Sequence, residues 1–315
     1  MSYALPLLAL SQHFSSFFRK LNPSPTFTSI AASQYNTIKG VIESRVRDPL
    51  SPRCFLQGSY DQSTAIYTIN DVDIIVLCQL WQPGGGGSGG VNWDRNAIFA
   101  AIAAPLFADG RYSSKVRYIP TSMCIKVDLG IKVEILPVVF KQGTSDPLQE
   151  PFRLWRPERG QWEDGFARYH QAYLSLKNNA DRTAGNFIPM IKVLKHLRSK
   201  SQLDAVSFHI ECLLHSFPDW VFTGGPATYI RDVLNHLASR TAVDWYNAGL
   251  MTPCGDRNIF TDAEWRWDRW KLFHQFVSIW AQFAQLAGEA TTQELAISTW
   301  QKLLDDSFFP AVTAP

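Results

Sequence analysis

Apolar positions along the chain follow two rhythms. Over residues 4–47 they recur at helical spacing, with Leu7, Leu8, Leu10, Phe14, Phe17 and Phe18 in a first helix. A second helix starts at Thr28 and reaches Arg47, separated from the first by the NPSP tract at 22–25. The rhythm then shortens. The stretch 55–77, FLQGSYDQSTAIYTINDVDIIVL, is an apolar lead-in, a tight Gly58-Ser59 turn, a polar loop and a strand. Alternation in that strand points Asp71 and Asp73 to one face and Val72 to the other. Residues 94–107 form a short apolar helix, the basic segment 111–119 a strand, and 123–140 a hairpin turning near Leu129-Gly130. On the second strand of that hairpin Ile131, Val133 and Ile135 share one face, while Lys132 and Glu134 share the other. From residue 163 onward helices dominate, at 165–178, 186–200, 208–217, 227–239, 262–288 and 292–306.

A mixed sheet followed by helices predicts an α+β chain of two lobes. Residues 1–160 hold the N-terminal helices and the sheet, and 161–315 form the helical lobe. No internal repeat is apparent. The tract PGGGGSGG at 83–90 has the composition of a laboratory linker standing in for a longer natural loop, and it is set apart from the fold.

Composition narrows the function classes. With 315 residues the chain can bury a sizeable core, and 46% hydrophobic with 18% charged residues is ordinary for a globular protein. A net charge of +2 gives no global field for wrapping nucleic acid, so any polyanion contact must be a local patch. Arg111, Lys115 and Arg117 are the candidates for one, although solvated charge is the plainer reading. The five cysteines, at 54, 78, 124, 212 and 254, are odd in number and lack C-x-x-C spacing. They fit neither a structural zinc site nor a disulfide framework, and they suit a reducing cytoplasm. The apolar run at 4–10 has no positive flank or cleavage pattern, and no run reaches membrane-spanning length. His170, His196 and His215 lack partners at metal spacing, and Trp265, Trp267 and Trp270 read as core with some exposure.

The chemistry gathers at the Gly-Ser turn and the D-x-D strand. Asp is a poor strand residue. Two of them projecting together from a β-branched strand need a partner, and Mg²⁺ takes carboxylates plus water and substrate phosphates. A glycine lets backbone approach a ligand closely, N–H groups of such a turn receive phosphate oxygens, and the Ser59 hydroxyl adds a donor. Two-metal phosphoryl transfer uses a third acid. Glu134 is the natural candidate, Asp128 on the facing strand is the runner-up, and an edge-strand charge paired with Lys132 is the alternative reading of Glu134.

A Gly-Ser turn followed by a D-x-D strand resembles the polymerase-β-type nucleotidyltransferase signature. The order GSY…T…DVDI, then VDLGIKVEILPVVF, then a helix with a Lys-rich end and SFHIE, resembles bacterial CD-NTases, relatives of animal cyclic GMP-AMP synthase and oligoadenylate synthetase. CGDRN at 254–258 is similar to an Asp…Asn segment near the end of that core, and the likeness spans residues 55–260. Two departures stand out. Glu134 replaces a more usual Asp, and the loop reads Tyr-Asp-Gln-Ser-Thr where many members carry a basic residue and Gly before the Thr.

The resemblance implies a polymerase-β-like core with a helical lobe and an active site in the cleft. It implies that Asp71, Asp73 and Glu134 hold two Mg²⁺ ions, with Mn²⁺ as a substitute. Gly58, Ser59, Lys192 (Lys195 in the alternative) and Ser207 would contact the triphosphate, and Phe208 would stack on a base near His209. The competing readings are a solvated Lys192–Lys195–Arg198 face and a core Phe208. The implied reaction joins nucleoside triphosphates, without a template, into a cyclic or short linear oligonucleotide messenger for antiphage signalling. An activating ligand or protein and a downstream effector are the implied partners. Transfer to RNA or protein, or an inactive nucleotide-sensing scaffold, are the alternatives.

Overall fold

The computed structural model describes residues 10–81, 93–119, 122–141, 151–157, 159–262 and 265–309. The glycine tract at 83–90 lies outside the described residues. The chain forms two compact units, a sheet unit of Ser24–Gln62 and Ile69–Tyr169 and a helical unit of Met1–Pro23, Ser63–Thr68 and His170–Pro315. This division differs from a single boundary near 160. The first helix, α1 (Ser11–Leu21), goes with the helical unit because Phe14, Phe17 and Leu21 are buried in one core with Phe187, Leu194 and Trp300.

In the sheet unit, α2 (Pro25–Arg45) starts where the Ser24 hydroxyl accepts from the Phe27 N–H at 3.1 Å, with Pro25 pre-set for the first turn. β1 (Arg53–Gln57), a single turn of helix α3 (Gly58–Asp61) and β2 (Asp71–Trp81) follow. α4 (Arg95–Phe107) is capped by the Asp94 carboxylate, which accepts from the Ala97 N–H at 2.8 Å. Then come β3 (Val116–Arg117), β4 (Ile125–Asp128), β5 (Lys132–Phe140), β6 (Phe152–Arg156) and β7 (Gln161–Gly165). The sheet runs β1-β2-β5-β4-β3, with β6 also on β5 and β7 on β6. Only β2 and β5 pair in parallel among the described strands.

Period-two patterning explains the two faces of β2. Val72, Ile74 and Val76 are buried with Ile38 and Ile42 of α2 and Ile98, Phe99 and Ile102 of α4. Ile75 and Leu77 face the other way, into a small cluster with Val138, Phe140 and Phe152. Asp71 and Asp73 continue that second face beyond its apolar end.

The hairpin β6–β7 was not expected from the sequence, whose FRLWR and QWEDG segments lack apolar alternation. Cross-strand pairs hold it: Trp155 meets Trp162 edge-on at 5.9 Å, and Arg153 meets Asp164 at 2.8 Å. The basic strand expected over 111–119 shrinks to Val116–Arg117. Arg111 instead donates to both carboxylate oxygens of Asp109 at 2.9 and 2.8 Å, which holds residues 109–111 in a turn.

The helical unit holds α5 (Ala167–Lys177, from His170 onward), α6 (Ala180–Thr183), α7 (Phe187–Lys200) and α8 (Ser207–His215). They are followed by α9 (Pro226–Ala238), α10 (Ala242–Ala248), α11 (Trp267–Gly288) and α12 (Gln293–Leu304). Its core is aromatic. Trp265, Trp270 and Trp300 are all buried, while Trp267 packs against the core from its margin. The unexpected α10 has a capping box in which Thr241 and Asp244 bond reciprocally. No helix of the described residues is long and apolar enough to cross a membrane.

Candidate active site

The register of the parallel pair assembles three acids. Asp71 lies opposite Lys132 and Asp73 opposite Glu134, so the paired side chains project from one face of the sheet. Burial pushes the Asp73 carboxyl up to about 7, and the neighbouring charges of Asp71 and Glu134 push the same way. Among the described residues Asp73 has no ion-pair partner.

Glu134 is the more open acid, with a third of its side chain exposed, and its Oε1 is 3.0 Å from Lys126 Nζ. The alternative reading of Glu134 from the sequence is an edge-strand charge paired with Lys132. The antiparallel register sets Lys126 directly across from Glu134 and sends Lys132 to Asp128 and Asp71. Directly opposed residues on neighbouring strands are closer than i, i+2 residues along one strand. Asp128 is exposed at the end of β4, where its Oδ1 accepts from the Gly130 N–H of the β4–β5 turn at 3.3 Å. Cys124, buried beside these acids, has its thiol pushed up to about 12, first by burial and then by Glu134.

Gly58 follows Gln57, the residue that pairs with Asp73. Its φ is +76°, and a Cβ there would collide with Asp73 Oδ2 and lie 3.0 Å from Asp73 Cγ. Backbone conformation and space therefore both demand glycine. The chain turns at once into α3, whose N-cap Gln57 supplies no side-chain capping bond. This leaves the first-turn N–H groups, next to the half-buried Ser59, for other acceptors. In the same turn, burial raises the Asp61 carboxyl.

Three carboxylates on one face, one of them buried against like charge, suit a hard divalent cation by donor chemistry. Among the described residues no three His, Cys, Asp or Glu side chains are gathered tightly enough to hold an ion by themselves. The fit rests on the shared face and on the uncompensated charge at Asp73.

The other candidates lie in the helical unit. Lys192 is partly exposed and donates to Asn22 Oδ1 at 2.7 Å; burial and then Lys195 lower its pKa. Lys195 is 2% exposed. Its ammonium donates to Thr64 O at 3.1 Å, Thr64 Oγ1 at 2.9 Å and Glu211 Oε1 at 2.7 Å. Of the two lysines, Lys192 is the one with an accessible ammonium. Ser207 opens α8, and its Oγ accepts from Arg198 at 3.3 Å. Phe208 is half-buried between the His170 ring at 4.9 Å and the Arg257 guanidinium at 5.2 Å. His209 bonds Asp262 at 2.9 Å. In the CGDRN segment the Asn258 side chain accepts from the N–H groups of Leu250 and Phe260, a structural role. The polar cluster of Thr64, His170 and Glu211 was not singled out from sequence, although Thr64 and Glu211 both lie inside the quoted motifs.

Residues 174–283 match the cGAS/DncV-like nucleotidyltransferase C-terminal helical domain. The cyclic UMP-AMP synthase of Rhodothermus marinus is 23% identical over 234 residues, covering 67% of this chain and 78% of that protein. Among solved structures, R. marinus CdnE c-UMP-AMP synthase with Apcpp and Upnpp is similar at a TM-score of 0.67 and 21% identity. That match covers 85% of this chain and 96% of the relative. The CdnC:HORMA complex of E. coli MS115-1 gives a TM-score of 0.70 at 16% identity, covering 95% of this chain and 98% of that one. Residues 174–283 thus carry the C-terminal helical domain of the cGAS/DncV-like nucleotidyltransferases, and in architecture the chain is similar to the CD-NTases.

Proposed function

We propose that this chain joins nucleoside triphosphates into a cyclic or short linear oligonucleotide without a template. The observation that carries the reading is the β2–β5 register, which puts Asp71, Asp73 and Glu134 on one face with Asp73 buried and raised to about 7. Asp71, Asp73 and Glu134 would hold two Mg²⁺ ions, or Mn²⁺ in their place, and the bound ions supply activation of the attacking hydroxyl and neutralisation of the leaving pyrophosphate. Asp73 serves as a ligand in its ionised form. Gly58 lets the turn lie directly against that carboxylate, and the Ser59 hydroxyl and first-turn N–H groups donate to triphosphate oxygens. On the helical unit Lys192, Ser207 and Phe208 are the candidates for further nucleotide contacts. Catalysis of this kind is positioning plus electrostatics.

The R. marinus relatives, named as cyclic UMP-AMP synthases, support a dinucleotide product, and the HORMA complex of CdnC supports a protein partner. An oligonucleotide messenger that acts on a separate effector in antiphage signalling completes the reading. The test is incubation with all four NTPs and Mg²⁺, with products read by mass spectrometry beside Asp71→Asn/Asp73→Asn. A cyclic or linear oligonucleotide absent from the variant supports the proposal. Equal product from both proteins overturns it.

A further inference from the structure

Between Gln62 and Ile69 the chain runs as part of the helical unit. This segment, Ser63–Thr68, is the covalent link between the Gly58–Asp61 turn and the Asp71 strand. It is anchored more firmly than a surface loop. Thr64, Ala65 and Ile66 are buried, and the Tyr67 N–H donates to Leu21 O at 2.9 Å. The Tyr67 ring lies 4.5 Å from that of Phe308.

Its centre is a closed polar ring. Thr64 Oγ1 donates to Glu211 Oε1 at 2.7 Å and accepts from Lys195 Nζ at 2.9 Å, while Lys195 Nζ donates to the same Glu211 oxygen at 2.7 Å. The remaining Lys195 proton goes to Thr64 O at 3.1 Å. His170 Nε2 is 3.1 Å from Glu211 Oε2. All four side chains are buried, at 0% for Thr64, 2% for Lys195, 3% for Glu211 and 5% for His170. Buried charges are kept where they are paired and hydrogen-bonded, and here Lys195 and Glu211 pair with each other, His170 bonds Glu211, and the backbone and hydroxyl of the linking segment supply the further bonds.

We propose that Thr64, Lys195 and Glu211 form a positioning latch: the ring pins Ser63–Thr68, and through its two covalent ends sets the triphosphate turn and the start of the carboxylate strand. The proposal rests on the nucleotidyl-transfer reading for its kinetic consequence only.

Thr64→Val keeps the shape and the Lys195–Glu211 pair and removes the hydroxyl, whereas Thr64→Ser keeps the hydroxyl. Three readouts are compared: the NTP KM and kcat, the Kd of an α,β-methylene ATP analogue by calorimetry, and hydrogen exchange of the 64–68 amides. Thr64→Val is expected to raise KM and the analogue Kd about tenfold, with kcat within about twofold, and to speed exchange at 64–68. Thr64→Ser is expected to restore all three. A purely structural threonine would lower the folded fraction and leave the KM of folded protein unmoved. Unchanged KM, Kd and exchange in Thr64→Val overturn the latch. Absence of product from the wild-type protein would count against the nucleotidyl-transfer reading instead, and the exchange and analogue-binding arms would still decide the latch.

Discussion

Replacing Asp73 by Asn should make the metal-free protein more stable while abolishing turnover. Asp73 has its carboxyl raised from 3.8 to about 7, by burial first and then by Asp71 and Glu134. A folded-state pKa above the unfolded one means that the folded protein binds the extra proton throughout that window. Stability therefore falls as pH rises from about 4 to about 7 and levels off above it. At about 1.36 kcal/mol per unit the gap converts to roughly 4 kcal/mol at its upper bound. Asn is close in shape and carries no charge, so it escapes this cost. The assay is urea denaturation in EDTA, followed by circular dichroism from pH 4.5 to 8.5. The advantage of Asp73→Asn should grow from small near pH 4.5 to its full size near pH 7.5 and then hold. Adding Mg²⁺ at pH 8 should stabilise the wild-type protein and leave the variant nearly unmoved, because only the protein that binds the ion gains from it. A variant no more stable than wild type at pH 8, or a wild-type stability flat from pH 5 to 8, refutes the reasoning.

Three further outcomes are expected. Gly58→Ala places a methyl on the Asp73 carboxylate at a backbone φ of +76°, and product formation should fall at least about 100-fold. Gly110→Ala, which meets nothing within 4 Å, should behave as wild type in the same assay. Lys126→Met removes the cation 3.0 Å from Glu134 and should change stability by less than about 1 kcal/mol. It should also lower the Mg²⁺ concentration for half-maximal turnover about fivefold, because a competing positive charge is gone. Glu211→Gln strands the Lys195 ammonium at 2% exposure and should cost about 3–5 kcal/mol in urea denaturation. The Glu211→Gln/Lys195→Met pair should recover at least half of that loss.

Most of the sheet unit was legible because its signals are local. Alternation in DVDIIVL gives both the strand and its two faces, and a turn at Leu129-Gly130 gives the β4–β5 hairpin. What alternation cannot give is which strand lies beside which. The parallel β2–β5 pairing joins residues about sixty positions apart, and that register alone makes Asp73 and Glu134 neighbours. The β6–β7 hairpin was illegible for a related reason: its charged residues are satisfied by cross-strand partners, Arg153 by Asp164 and Arg156 by Glu163, rather than by any pattern within either strand. In the helical unit, helical spacing located α7, α8 and α9 to within a residue or two. The role of Lys195 was hidden because a lysine one turn from another on a helix reads as a solvated face. Its partners Thr64 and Glu211 lie 131 and 16 positions away.

The contrast between two buried carboxylates argues for the roles given to them. Glu211 lies in a core, and burial alone would raise it. Lys195 and His170 outweigh burial and hold it at about 2, so the chain itself supplies the counter-charge. Asp73 is buried too, but the groups acting on it are Asp71 and Glu134, both of its own sign, and it rises to about 7. A carboxylate used only to hold a fold gains nothing from like-charged neighbours, and replacing Asp73 by a neutral residue of the same shape would relieve the repulsion. Under the proposed reading an external cation would reverse the balance: each acid that repels its neighbours in the free protein would become a ligand, and the charge that destabilises the fold would become binding free energy. Destabilisation by Asp73 in EDTA and stabilisation by Mg²⁺ are thus two measurements of one arrangement, and a site evolved for a divalent ion must show both.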